Sequence, residues 1–172
     1  SEYFDVVPDI ITLGKGLSAL YVPLSATVVK DEIADVFTGD NVFQHVYTMA
    51  GNPLSCAAGL ATIEYIEREN VLGRVREKAP WFKSEWDKIE KDFKCVGTTY
   101  AIGLEGGTLL VKDKVKHESF SDYGPLDSLV REVGLKKGVP IFPFHGIIAV
   151  CPALNATDEE LVKIMDVIRE AL

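Results

Sequence analysis

A lysine set between two glycines at the end of an apolar run is the residue of this chain best placed to do chemistry. The stretch reads Pro8-Asp9-Ile10-Ile11-Thr12-Leu13-Gly14-Lys15-Gly16-Leu17-Ser18. Ile10 to Leu13 has the composition of a buried strand, and glycines on both sides of Lys15 permit a tight turn and close approach of another molecule to the backbone. A lysine at the end of a buried strand is partly desolvated, which disfavours the ammonium and frees the amine as a nucleophile suited to a Schiff base. The same residues also fit a solvated lysine among ordinary turn glycines. This stretch alone does not separate the two readings.

The neighbouring elements must position that lysine. Asp9 to Leu13 and Leu24 to Val29 are expected as two buried strands, with Gly14 to Pro23 as the loop between them. Asp31 to Phe37 suggests a short helix with acidic residues in its first turn, ended by Gly39-Asp40-Asn41. Val42 to Ala50 has no clean period and reads as a loop. It leads into Gly51-Asn52-Pro53, where Asn52 suits an N-cap and Pro53 a first helical turn. The run Leu54 to Glu69 carries Leu54, Ala57, Ala58, Ala61, Ile63, Tyr65 and Ile66 and predicts a helix buried over much of its surface. Residues 71–93 are strongly charged, with Trp81, Phe82, Trp86 and Ile89 at roughly helical intervals. That pattern predicts a half-buried helix, kinked or broken at Pro80.

Composition changes near Phe93. Two strands joined by a turn at Glu105-Gly106-Gly107 are expected over residues 94–111, and a polar, irregular stretch then runs to Gly124. Leu126 to Gly134 predicts a helix with Gly134 as its stop. Val139 to Phe144 and Ile147 to Val150 suggest two short strands around His145-Gly146. Thr157-Asp158-Glu159-Glu160 is a capping-box pattern that opens a final helix with Leu161, Ile164, Met165 and Ile168 facing inward.

Charge and composition exclude several function classes. The chain has 172 residues, 47% of them hydrophobic, and a formal net charge of -8 with both signs interspersed. It has a real core and lacks the basic stripe that nucleic acid or an anionic membrane surface would require. Cys56, Cys95 and Cys151 are odd in number and far apart, without metal-ligand spacing, which suits a reducing, cytoplasmic setting. No apolar run approaches the roughly 20 residues of a spanning helix, and no signal-peptide pattern opens the chain. It begins at Ser1 with almost no lead-in to the first strand, so a fragment of a longer polypeptide is expected.

Three motifs taken in order carry a family resemblance: the Lys15 stretch; the loop His45-Val46-Tyr47-Thr48-Met49-Ala50-Gly51-Asn52-Pro53 before an alanine-rich helix; and residues 148–160. Together they resemble class III pyridoxal-phosphate-dependent aminotransferases. The resemblance covers the whole chain and implies an α/β fold. The chain would be the C-terminal part of a fold type I transferase: residues 1–70 the end of the large cofactor-binding domain, 71–93 a bridging helical segment, and 94–172 a small α+β domain. It implies pyridoxal 5'-phosphate as cofactor, with Lys15 as the Schiff-base lysine that also moves the proton at the substrate carbon. Thr48 would hydrogen-bond the cofactor phosphate across the interface of a homodimer or higher homo-oligomer. The substrates implied are a small-molecule amine or amino acid and a 2-oxo acid, with no nucleic acid or membrane partner.

The departures from the family pattern narrow that expectation. Arginines that would pair with a substrate carboxylate are replaced by Ala149 and Phe142, another arginine around Tyr100 is missing, and Ala153 stands for a second proline. The aspartate, glycine-rich loop and stacking aromatic of the family all precede the lysine strand, so these 172 residues do not hold a complete site. The leading expectation is transfer of an amino group from an amine or ω-amino acid, 4-aminobutyrate-like, to a 2-oxo acid. A racemase or aminomutase of the same family, or a truncated non-catalytic interaction module, are the alternatives.

Overall fold

In the computed structural model, which describes residues 2 to 172, the lysine loop lies between two short antiparallel strands. Strand β1 (Ile10–Leu13) pairs with β2 (Ala26–Val29), Ile10 opposite Val29 and Leu13 opposite Ala26. These strands are not the buried pair the sequence leads one to expect: Ile10 is 55% exposed and Val28 51%. Among the described residues each strand has a single hydrogen-bonded neighbour, the other, and the ribbon is left open. A short helix, α1 (Asp31–Ala34), tightens into a 3-10 turn at Asp35–Phe37, and the Thr38 hydroxyl closes it by donating to the Asp35 carbonyl. Helix α2 (Pro53–Arg68) starts as expected, with the Asn52 side chain accepting from the Ser55 N–H at 3.1 Å and Pro53 in the first turn.

The expected burial of α2 does not occur. Only Gly59 is buried, while Leu54 and Leu60 are 70% and 62% exposed. At Gly59 the helix lies against the lysine loop; a Cβ there would stand 2.6 Å from Leu24 Cδ2. A glycine at this position lets the helix approach that closely, while Leu54, Leu60 and Ile63 elsewhere on α2 stay exposed. This first unit ends at Glu69, and a second comprises Asn70–Leu172.

The second unit contains a conventional core. Helix α3 (Val71–Asp92) belongs to it, so the residues expected as a bridging segment pack with the C-terminal unit. The helix runs through Pro80 without a break. Pro80 sits on the exposed side, and Phe82, Trp86 and Ile89, all fully buried, anchor the turns beyond it. Strands β3 (Val96–Ile102), β4 (Glu105–Leu110) and β5 (Ile147–Val150) form an antiparallel sheet in that order. The β3–β4 turn is Gly103-Leu104, with Gly103 at φ 59°; the expected turn residues Glu105, Gly106 and Gly107 belong to β4 instead. Gly106 is in the strand because Trp86 lies over it: a Cβ there would collide with the indole Nε1.

Helix α4 (Gly124–Lys136) passes the expected stop at Gly134 and is terminated by Gly138, φ 72°, the residue after its C-cap Lys137. There the Val139 N–H donates back to the Gly134 carbonyl and the Gly138 N–H to Leu135, the pairing that a left-handed glycine just past a helix permits. Residues 139–144 form no strand, and only Phe144 bridges to Ile147. Helix α5 (Asp158–Ala171) has the anticipated capping box, Glu160 N–H to Thr157 Oγ1 at 3.2 Å and Thr157 N–H to Glu160 Oε2 at 2.8 Å. It buries Leu161, Met165 and Ile168 with Ile148 of the sheet and Val130 of α4. Among the described residues no helix is long and apolar enough to cross a membrane.

Candidate functional site

Lys15 stands one residue beyond the end of β1. Gly14 is fully extended, at φ −170° and ψ −164°, and Lys15 then turns sharply into the left-handed region at φ 47°. The turn Lys15–Ser18 is 3-10, closed by Leu17 N–H to the Gly14 carbonyl (3.1 Å) and Ala19 N–H to Gly16 (3.0 Å). Ala19 and Leu20 are left-handed as well, at φ 49° and 64°. Ser18 is 1% exposed, and its hydroxyl donates to the Val22 carbonyl at 2.5 Å. Lys15 itself is exposed and its ammonium has no hydrogen-bond or ion-pair partner among the described residues. The expectation of a lysine desolvated by a buried strand therefore does not hold, since the strand before it is uncovered. What the loop supplies is a free amine with open space beside it: a Cβ on Gly16 would meet nothing within 4 Å.

Thr48 lies in the loop between Thr38 and Asn52, in a turn closed by Ala50 N–H to Tyr47 (2.9 Å) and Asn52 N–H to Met49 (3.2 Å). It is exposed, its hydroxyl unpaired among the described residues, and it makes no hydrogen bond with Lys15. The loop is braced by a row of rings that periodicity does not reveal. Phe37 meets Phe43 edge-on at 5.1 Å, Phe43 meets His45 at 5.9 Å, and His45 meets Tyr47 at 4.6 Å. Edge-to-face contacts of this kind are favourable at such separations. They stiffen the approach to Thr48 while Val46 and Met49 stay 86% and 68% exposed.

In the second unit, the positions without the family's arginines are open to solvent. Tyr100, Gly107 and Ala149 form one row across the face of the sheet not covered by helices, and a Cβ on Gly107 would meet the Tyr100 hydroxyl at 3.1 Å. Partial burial raises the Tyr100 phenol above its usual value, and the nearby Glu105 charge adds to this; burial first and Glu105 second raise Cys151 in the same way. The sheet positions on this face (98, 100, 102, 105, 107, 109, 147 and 149) include one carboxylate and no cation. Phe142 and Phe144 are 71% and 70% exposed, so they are not core residues. The turn beside them, His145 (φ 51°) and Gly146 (φ 77°), is fastened by Asp127, whose carboxylate accepts both backbone N–H groups at 2.9 and 3.0 Å. Sequence reasoning missed Asp127 and Ser18: Asp127 acts eighteen residues away from its partner, and Ser18 looks like any loop serine.

Pyridoxal phosphate requires a primary amine for its aldehyde and donors for its phosphate. The exposed, unpaired Lys15 amine and Thr48 hydroxyl are of the right chemistry for both, so the donor set in this chain fits the group.

Comparison with known proteins agrees over the full length. Residues 1–172 match the profile of the family Aminotransferase class-III. The chain is 37% identical over 169 residues to an adenosylmethionine-8-amino-7-oxononanoate aminotransferase of Methanocaldococcus jannaschii, covering 96% of this chain and 36% of the relative. It is 28% identical over 173 residues to a putrescine–pyruvate aminotransferase of Pseudomonas aeruginosa, covering 100% and 38%. Among solved structures, the taurine:2-oxoglutarate aminotransferase of Bifidobacterium kashiwanohense, in complex with PLP and glutamate, superposes with a TM-score of 0.90 at 31% identity, covering 99% of this chain and 39% of that one. The M. jannaschii enzyme's crystal structure gives a TM-score of 0.87. The chain thus spans between a third and two fifths of the length of the proteins it matches.

Proposed function

The chain belongs to the class III aminotransferase family, and from that premise we propose that it works within a pyridoxal-phosphate-dependent enzyme moving an amino group from an amine or ω-amino acid to a 2-oxo acid. The observation that carries this is Lys15: an exposed, unpaired amine on a sharp turn between two glycines, in a chain that matches the family throughout. Lys15 Nζ is the group that would hold the cofactor, and Thr48 Oγ1 the donor toward its phosphate, reaching the site of a second copy of the chain in a homodimer. When bound, the pyridine ring supplies an electron sink for charge developing at the substrate carbon. Lys15 Nζ, once free, accepts the proton leaving that carbon and returns it to the product, the work of a general base and acid held beside the reacting atom.

Two positions of the chain support an amine-type donor. Phe142 and Ala149 stand at the two positions where the resemblance expects carboxylate-pairing arginines, and the open sheet face carries no cation, so neither place offers an α-carboxylate a bidentate partner. An amine or a distal amino group needs no such grip, while the α-carboxylate of the 2-oxo acid acceptor would have to be held by groups other than these two positions. The relative named for putrescine, an amine without a carboxylate, is compatible with this class, whereas adenosylmethionine, which the other relative's name contains, is itself an α-amino acid and lends it no support. We place the protein in the cytoplasm on the strength of its free, scattered cysteines.

The test uses the product of the complete reading frame, loaded with pyridoxal phosphate and given an amine donor with and without a 2-oxo acid. Formation of the amino acid from the oxo acid, abolished by Lys15→Ala, is expected. Turnover of a single amino-acid enantiomer without any acceptor would instead establish a racemase, and no turnover of either kind would refute the proposal.

A further inference from the structure

Between Gly14 and Val22 three residues that carry a Cβ adopt left-handed backbone: Lys15, Ala19 and Leu20. Side chains disfavour that region, so a loop holding three of them within six positions relaxes unless something fastens it. The backbone bonds of the loop are local, each spanning three to five residues. One further contact, equally short in span, comes from a side chain. Ser18 is the only side chain of the first unit, among the described residues, that is buried, and its hydroxyl closes the loop onto the Val22 carbonyl at 2.5 Å. It lies three residues after Lys15 and immediately before the Ala19-Leu20 pair, so the bond spans both strained residues on its C-terminal side. A buried hydroxyl paired this way is costly to remove, because its partner carbonyl loses its donor. Helix α2 closes over the same loop at Gly59, whose missing side chain leaves Leu24 and the Leu17 carbonyl their room.

We propose that Ser18 is a positioning residue for Lys15: its hydroxyl latches residues 18–22, whose Leu20 N–H in turn bonds the Lys15 carbonyl at 3.4 Å, in the left-handed conformation from which the lysine projects its amine. The inference rests on the reading of Lys15 as the cofactor-holding group and adds what keeps that amine in place. Ala19 and Leu20 are both exposed, so replacing them by glycine removes strain without removing packing. Glycine also raises the entropy of the unfolded chain, so it does not rescue stability in general. Rescue of a Ser18 variant by these two glycines is therefore a signature of a latch against strain, which a serine that merely fills space would not give.

The experiment compares the full-length wild type with Ser18→Ala, with Ala19→Gly/Leu20→Gly, and with the triple variant. One readout is the rate at which pyridoxal phosphate, added to cofactor-free protein and trapped with borohydride, labels Lys15. The other is hydrogen exchange at the amides of Leu17, Ala19 and Tyr21, which needs no cofactor. Ser18→Ala should slow labelling and speed exchange by about tenfold, the effect of losing one buried hydrogen bond. The triple variant should recover both to within about threefold of wild type, allowing for the entropy of the added glycines. Unchanged exchange in Ser18→Ala, or a loss that the glycines do not restore, would overturn the latch. Should Ser18→Ala fail to fold, the triple variant must fold, and its failure counts against the proposal too. A wild type that takes no label at Lys15 defeats the functional reading alone, and the exchange data then decide the latch by themselves.

Discussion

At the scale of single residues, the proposed chemistry is divided between Lys15 as the nucleophile and Thr48 as a hydrogen-bond donor to the cofactor phosphate. Lys15→Arg keeps the charge but has no amine able to condense with an aldehyde, and it is expected to lower kcat by at least the roughly 10²–10⁴-fold that a lost acid–base group costs. Thr48→Ala removes one hydrogen bond to a charged group, worth about 1.5–3 kcal/mol, so the cofactor Kd should rise by roughly 10- to 100-fold with the Lys15 adduct still forming. Thr48→Ser should retain most of the affinity; equilibrium dialysis against pyridoxal phosphate separates the three proteins. Both proposed roles come from motif and order. The state of the lysine does not: its expected desolvation assumes a buried strand, and Ile10 and Thr12 are exposed.

At the scale of elements, close approaches decide which positions tolerate change. Gly106→Ala drives a Cβ into Trp86 and Phe82, which are packed too tightly to yield, and should cost about 1–3 kcal/mol by chemical denaturation. Gly16→Ala meets open space and should leave stability nearly unchanged. The pairing of α3 with α5 sets an acid limit. Glu85 is buried and accepts from Lys88 Nζ at 2.6 Å and from Arg169. Burial alone would raise its carboxyl, but the hydrogen bonds and charges of Lys88 and Arg169 outweigh that and hold it below the usual 4.5. A folded value below the unfolded one means stabilisation that is fully present above the unfolded pKa and is lost as pH falls through the folded one. Glu85→Gln should therefore lower Tm at neutral pH, with the gap to wild type closing as the pH falls from the usual 4.5 through the lowered folded value. A gap independent of pH would show that the pair contributes packing alone.

The same elements show why sequence reading succeeds in some places and fails in others. The Asn52-Pro53 start of α2 and the Thr157–Glu160 capping box are local chemistry, complete within four residues, and both are present. Gly106, Gly107 and Gly134 read as turn or stop signals because glycine usually punctuates. Here Trp86, Tyr100 and the Val139 carbonyl, all distant in sequence or folded back, occupy the space a side chain would need. The face of the sheet bearing Tyr100, Gly107 and Ala149 depends on a register across three strands, which no single stretch contains.

At the scale of the whole molecule, the first unit displays apolar residues that a stable surface seldom leaves bare: Val7, Tyr21, Val46, Met49 and Leu54 are each at least 68% exposed. Their hydrophobic patterning is legible in the sequence, but whether anything covers them is a matter of tertiary contacts that no local pattern encodes. The 172-residue chain alone is expected to self-associate or bind a hydrophobic dye, whereas a dye-free monomer by light scattering would contradict this. The proposed homodimer makes a further demand. If Thr48 serves the partner's site, mixing Lys15→Ala and Thr48→Ala subunits creates one site with both residues intact, and cofactor affinity and activity should reappear; if it serves its own, no mixture has an intact site.

The most direct measurement is borohydride reduction of the full-length protein with pyridoxal phosphate, and then peptide mass mapping. A single phosphopyridoxyl group on the peptide containing Lys15, absent from Lys15→Ala, is the expected result. A stoichiometric adduct on another lysine, or no adduct at all, would contradict the assignment of Lys15 as the residue that holds the cofactor.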